Sequence, residues 1–164
     1  MGEFRYCPQC GKELTKKVLE GKERLCCPDD ACGYVWWDNP LPVVAALIEK
    51  GGNVILARNK QWPEKIFGLI TGFLEKGETA EAAVLREVRE ELGLDAEIRE
   101  LIGVYSFLER NQVIIAYYLT AEGDIRMGDE LAEVREIPPA KLRPWPFGAG
   151  LAVRDWLAKY HARS

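Results

Sequence analysis

The chain has 164 residues, room for one ordinary domain or one domain with a small appendage, and its 48% hydrophobic and 29% charged residues exclude a mainly disordered polymer. A formal charge of −4 provides no broad positive field, which disfavours non-specific duplex binding and leaves phosphate to be handled by local groups. The longest apolar run, Leu41 to Ile48, is far too short to cross a bilayer and contains a proline.

Met1 to Arg5 runs directly into a cysteine motif where a secretory signal needs an apolar stretch, so a cytoplasmic location is expected. All five cysteines precede residue 33, an odd set for disulfides and a better one for metal. Cys7-Pro-Gln-Cys10-Gly11 is a knuckle whose spacing lets two thiolates converge on one ion while the glycine permits the tight turn beneath them. Cys27-Pro-Asp-Asp-Ala-Cys32-Gly33 repeats the Cys-Pro and Cys-Gly signatures and closes a four-thiolate set. Cys26 is the spare, because Pro28 follows Cys27 as Pro8 follows Cys7. A redox reading of Cys7 and Cys10 lacks the βαβ setting it requires. Four ligands with no open position point to structural Zn²⁺, which supplies folding energy to a segment too small for a core of its own.

Residues 1–38 therefore read as a zinc ribbon, with Asn39-Pro40 as the turn into a second domain over residues 39–164. There, β-rich runs at 42–49 and 53–58 flank Lys50-Gly51-Gly52, a hairpin signal. A loop with Trp62 and Pro63 leads to the apolar run 66–70. Helical periodicity follows from about Thr79, a suitable N-cap, to Leu92. Strands are expected near 96–107, 112–121 and 131–137, and a proline-rich stretch precedes a last amphipathic helix with Leu151, Val153, Trp156 and Leu157.

The informative stretch lies between Gly72 and Leu94. It is a glycine-bearing loop followed by a helix whose Glu87, Glu90 and Glu91 share one side at i, i+3 and i, i+4 spacing. Carboxylates so placed repel one another, and a hard divalent cation is the evident compensation. A solvated acidic face interleaved with Arg86 and Arg89 is the plainer reading of charge pattern alone. The spacing decides otherwise, because the run matches every fixed position of G-x₅-E-x₇-R-E-U-x-E-E-x-G-U, with Val88 and Leu94 as the bulky aliphatics U.

This pattern is the Nudix box, and the chain resembles the Nudix hydrolase superfamily. The resemblance implies an α+β fold, an αβα sandwich with a mixed sheet. It implies Mg²⁺ (or Mn²⁺) held by Glu87, Glu90 and Glu91 with the backbone carbonyl at or beside Gly72. Arg86 then corresponds to the arginine that orients the glutamates and Glu78 to the loop glutamate supporting the same network. The implied activity is metal-assisted attack of water on the diphosphate linkage of a nucleoside diphosphate derivative such as NADH or ADP-ribose. Members draw the general base from the box or from a later loop, where Glu130 and Glu133 stand.

The ribbon-plus-box order is similar to the zinc-ribbon branch that includes NADH pyrophosphatases. Leu69-Ile70-Thr71-Gly72 departs from the common Leu-Pro-Gly-Gly entry, which bears on substrate class more than on catalysis. Arg143-Pro-Trp145-Pro-Phe147-Gly resembles a motif of that branch but stands about fifty residues past the box, and is read as a chance likeness. Trp62, Phe67, Tyr105 and Phe107 are the aromatic candidates for stacking on a base. Two further readings stay open. One makes the ribbon, with Lys12, Lys16, Lys17, Lys22 and Arg24, a grip for protein or nucleic acid, or for a nucleotide-capped RNA end. The other makes it an element of stability or of a homodimer.

Overall fold

A computed structural model describes residues 4–163, and side chains as far as Tyr160; the remaining residues, which include most of the leader segment read above, lie outside the described residues. The chain divides into two compact units, residues 1–39 and 40–164.

In the first unit β1 (Thr15–Leu19), β2 (Lys22–Cys26) and β3 (Val35–Trp36) form an antiparallel sheet in that order. The β1–β2 turn is made by Glu20 and Gly21, both at positive φ (51° and 76°), the two-residue geometry whose twist suits a hairpin. Glutamate is a poor signal for that turn, which is why the hairpin is not legible beforehand. Among the described residues the buried cluster here is Cys7, Leu14 and Cys27, too little apolar area to hold such a fold without a cross-link.

The second unit is an αβα sandwich. Its strands are β4 (Leu41–Lys50), β5 (Asn53–Asn59), β6 (Ile70–Phe73), β7 (Ala96–Phe107), β8 (Gln112–Ala121) and β9 (Leu131–Ile137), and its helices are α1 (Ala80–Leu92) and α2 (Gly150–Arg163). The sheet runs β7-β8-β4-β5-β9, with β6 paired to β4. β4 and β8 are parallel and the other pairs antiparallel, so the sheet is mixed. The β4–β5 turn at Gly51 and Gly52 has positive φ at both residues (56° and 79°), as its composition predicts.

β4 explains the arrangement. Its residues from Val43 to Ile48 are all buried, and alternation sends Val44, Ala46 and Ile48 to one face and Val43, Ala45 and Leu47 to the other. The first set packs with Val84, Val88 and Leu92 of α1, the second with Val153, Trp156 and Leu157 of α2. A strand buried on both faces reads as an unbroken apolar run. Among the described residues no helix is long and apolar enough to cross a membrane.

Truncating Leu47, fully buried beneath α2, leaves a cavity that neighbouring strands cannot close. Leu47→Ala is expected to cost about 2–5 kcal/mol in urea unfolding, whereas Val18→Ala, at a residue 74% exposed, should shift stability by no more than about 0.5 kcal/mol.

Candidate functional site

The box folds as a loop and helix because its ends are capped. The Thr79 hydroxyl accepts the Ala82 N–H at 3.2 Å, and Glu78 accepts the Glu75 N–H at 2.7 Å and closes the loop. At the other end Gly93 takes the left-handed conformation (φ 65°) and donates to the Arg89 carbonyl. Arg86 then binds four groups at once. It donates to both carboxylate oxygens of Glu78 (3.2 and 2.8 Å), to Glu87 (2.7 Å), to Glu90 (3.2 Å) and to the Phe73 carbonyl (3.2 Å). The Glu78 carboxyl is held below its ordinary value by Arg86 and by the Glu75 N–H.

Glu87, Glu90 and Glu91 line one cavity of about 460 Å³ with Thr71, Gly72 and Phe73 of β6. Gly72 is there by necessity, since a Cβ on it would lie 1.9 Å from the Glu87 carboxyl carbon. Asp129 and Glu130 line the same cavity. Their loop is docked by the end of α1, whose Leu92 and Glu91 carbonyls accept the N–H groups of Arg126 and Gly128 at 2.8 Å each. A Cβ on Gly128 would come within 2.6 Å of the Glu90 carbonyl, so only glycine permits this approach. Burial, then the charges of Glu87, Glu130 and Glu90, push the Glu91 carboxyl up to about 7. Of Glu87, Glu90 and Glu91, Glu91 is the one that Arg86 does not reach.

Glu130 sits at the cavity and accepts a long bond from the Asn59 amide at 3.4 Å. Glu133 does not line it; it lies on β9, paired with Arg135 (2.7 Å) and Arg58 (3.7 Å). Asp129 and Phe73 are cavity residues that sequence reasoning missed. Asp129 stands beside the glutamate that was singled out, and a loop closing onto the C-terminus of α1 was the signal available.

A second, larger cleft of about 720 Å³ shares Val43, Thr71 and Gln112 with the first. Trp62, Phe67 and Phe107 line it, as do Trp145 and Phe147. Tyr105 does not. Its hydroxyl donates to Asp155 of α2 at 2.9 Å, and burial followed by that bond pushes it up to about 12. The Pro-Trp-Pro-Phe stretch set aside for its distance along the chain therefore reaches the site through the start of α2. Lys65, Arg110 and Gln112 are further lining residues with no sequence signal of their own.

In the ribbon, the sulfurs of Cys7, Cys10, Cys27 and Cys32 all lie within 4.8 Å of one another. Four thiolates about 2.3 Å from a tetrahedral ion require that spacing, so the set fits zinc. Cys7 and Cys32 approach to 3.7 Å and Cys10 and Cys27 to 3.4 Å, separations far beyond a disulfide. Cys26 is buried outside this group, its thiol near the Arg24 carbonyl at 3.7 Å.

A model of the NUDIX domain matches residues 39–159, and one of the Nudix N-terminal region, a zinc ribbon, matches residues 5–37. The ADP-ribose pyrophosphatase of Methanocaldococcus jannaschii is 31% identical over 153 residues, covering 90% of this chain and 86% of that one. The NAD-capped RNA hydrolase NudC of Pseudomonas putida is 28% identical over 152 residues, 92% of this chain but 54% of that one, so the chain spans about half the length of that relative. A crystal structure of a NUDIX hydrolase from Nitrosomonas europaea superposes with a TM-score of 0.81 at 28% identity, covering 97% of this chain and 93% of that one. With a family model over most of its length and such a relative matched nearly end to end, the chain belongs to the Nudix hydrolase family, in the branch that carries an N-terminal zinc ribbon.

Proposed function

We propose that the chain hydrolyses the diphosphate linkage of a nucleoside diphosphate derivative, ADP-ribose or a dinucleotide such as NADH, with Mg²⁺ or Mn²⁺ held by Glu87, Glu90, Glu91 and the backbone carbonyl at or beside Gly72. The observation that carries this reading is the convergence of those carboxylates on one cavity, with Glu91 left without a cationic partner, beside a cleft walled by aromatic rings. A hard cation is the group such a donor set accepts. When bound, it neutralises the diphosphate and makes a water nucleophilic at neutral pH. The chain's own part is positional. Arg86 holds one carboxylate oxygen of Glu87 and one of Glu90 beside the cavity, and Glu78 holds Arg86. The water oxygen bonds to one phosphorus, the bridging P–O bond breaks, and two monophosphates leave. Glu130, which lines the same cavity, is our candidate to take the water's proton. No covalent nucleophile is needed.

In the ribbon we assign zinc to Cys7, Cys10, Cys27 and Cys32, in a structural role. A reading in which the ribbon grips a polyanion has little support. Residues 1–39 hold six Lys or Arg against seven Asp or Glu. Lys12, Lys16 and Lys17 are spent on Asp29, Glu23 and Asp30. Action on the NAD end of a capped RNA needs no such grip and is compatible with the same diphosphate chemistry; the similarity to the NudC hydrolases favours keeping it as the second reading.

A panel of NADH, NAD, ADP-ribose, FAD, coenzyme A and nucleoside triphosphates, assayed with Mg²⁺, tests the assignment. A diphosphate flanked by two groups should win in kcat/KM, because both flanks supply binding energy. A triphosphate ahead by tenfold, about 1.4 kcal/mol of transition-state preference, overturns it.

Glu90→Gln and Glu91→Gln should each lower turnover on the order of 10²-fold or more with the fold intact. Wild-type turnover in both returns the helix to an ordinary acidic face. Glu91→Gln should also raise the melting temperature of the metal-free chain. The folded chain holds this proton up to about pH 7, whereas the unfolded chain releases it near 4.5, so stability is lost as pH rises between those values. The gain from glutamine should therefore be small at pH 5 and full at pH 8.

Metal analysis of the purified protein should find one zinc per chain. Cys26→Ser should keep it and Cys27→Ser should lose it, and the reverse pattern would reassign the third ligand.

A further inference from the structure

The rings of the aromatic cleft are seated in advance. A Cβ at Gly68 would lie 3.1 Å from the outer edge of the Trp62 indole, one at Gly148 3.1 Å from the Phe107 ring, and one at Gly150 2.5 Å from the Trp145 indole. Each ring thus packs closely against a glycine, most tightly at Gly150, where any Cβ would force the Trp145 indole to shift. The other two are backed by neighbours: the Arg135 guanidinium stands 4.0 Å from the centre of the Phe67 ring, and Phe147 stacks on Phe107 at 5.9 Å. Rings held in place before a ligand arrives lose little freedom on binding, which favours a flat aromatic guest.

Charge is sorted between the two cavities. The first is lined by five carboxylates, Glu87, Glu90, Glu91, Asp129 and Glu130, and no cation. The cleft is lined by Lys65 and Arg110 and no carboxylate, and neither cation has an ion-pair partner among the described residues. The diphosphate must lie on the acidic side, where a divalent cation meets its charge. The anion that Lys65 and Arg110 face is therefore a different one on the same ligand. A nucleoside whose base enters the slot brings its ribose with it, and an ester phosphate on that ribose is the anion of matching chemistry.

We propose that the cleft is a subsite for a nucleoside bearing a 2′- or 3′-phosphate, with the base among Trp62, Phe107 and Trp145 and the phosphate held by Arg110 and Lys65. The enzyme then prefers dinucleotides carrying this extra phosphate. The kinetic part rests on the diphosphate-hydrolase reading; the binding part does not.

The test compares kcat/KM for NADPH against NADH and for coenzyme A against dephospho-coenzyme A with Mg²⁺. Beside it, calorimetry on the full chain without added Mg²⁺ compares adenosine 2′,5′- and 3′,5′-bisphosphate with AMP. The phosphorylated member should be favoured about fivefold or more in kinetics and in binding. Arg110→Ala should bring the ratio toward one, and the Lys65→Ala/Arg110→Ala pair should abolish it. Gly68→Ala, which displaces the Trp62 ring and touches no charge, should raise KM for both members alike and leave the ratio unchanged. A preference confined to NADPH or to coenzyme A supports the subsite and tells the 2′ from the 3′ source. Equal kinetics and equal binding in the wild type, or a ratio that survives the double substitution, overturns it. If no dinucleotide is cut, the hydrolase reading falls, and the bisphosphate binding still decides the subsite.

Discussion

The site depends on one arginine. Among the described residues, Arg86 is the only cation that reaches the box glutamates, and it ties three separate pieces together: Glu78 of the loop, the Phe73 carbonyl at the end of β6, and Glu87 and Glu90 of α1. A guanidinium presents its donors in one rigid plane, so these groups are held in a fixed relation that a flexible ammonium could not impose. It also sets the electrostatic balance. One positive charge serves three carboxylates, and Glu91, which Arg86 does not reach, is pushed up to about 7 by burial and the neighbouring carboxylates. The metal-free cluster is thus under-neutralised by construction, and that deficit is what a cation would fill.

The sandwich brings the remaining groups to this cluster by backbone means. β4 is buried on both faces, so it fixes the positions of α1 above and α2 below in one strand's thickness. Its antiparallel pairing with β6 sets Gly72 opposite Val44, and its parallel pairing with β8 sets Gln112 opposite Leu41. Unspent carbonyls at the end of α1 are satisfied by the 126–128 segment, and this capping carries Asp129 and Glu130 to the cavity. The loop that carries our candidate base is thus placed by the same hydrogen bonds that finish the helix.

What was legible in the sequence follows from how local each feature is. The cysteine knuckles and the box are set by spacing within a few turns of chain, so residues 7–32 and 72–94 could be read directly. The short β6 was read only as the apolar run 66–70, whereas the other five of the six strands of the second unit were legible too, helped by Gly51-Gly52 at the β4–β5 turn. The cleft was not, since Trp62, Phe107 and Trp145 come from three distant segments and meet only through the sheet. Phe107 and Tyr105 show the limit. They are two residues apart on β7, yet Phe107 lines the cleft and Tyr105 is drawn to Asp155 of α2. Strand alternation puts both on the same face; their neighbours along the sheet decide the rest.

On the proposed reading, catalysis and selection fall to different parts of the chain. The acidic cavity, lined by five carboxylates and no cation, would hold the groups that act on a diphosphate. The cleft has the opposite character: flat rings, two cations and no acid. Only Val43, Thr71 and Gln112 belong to both. Thr71 stands where the familiar box entry has glycine, at the seam between the two cavities. On the proposed reading, a ligand with its phosphates on one side and its base on the other passes this residue, so the altered entry to the box and the aromatic cleft would together set what the glutamates are given to cut.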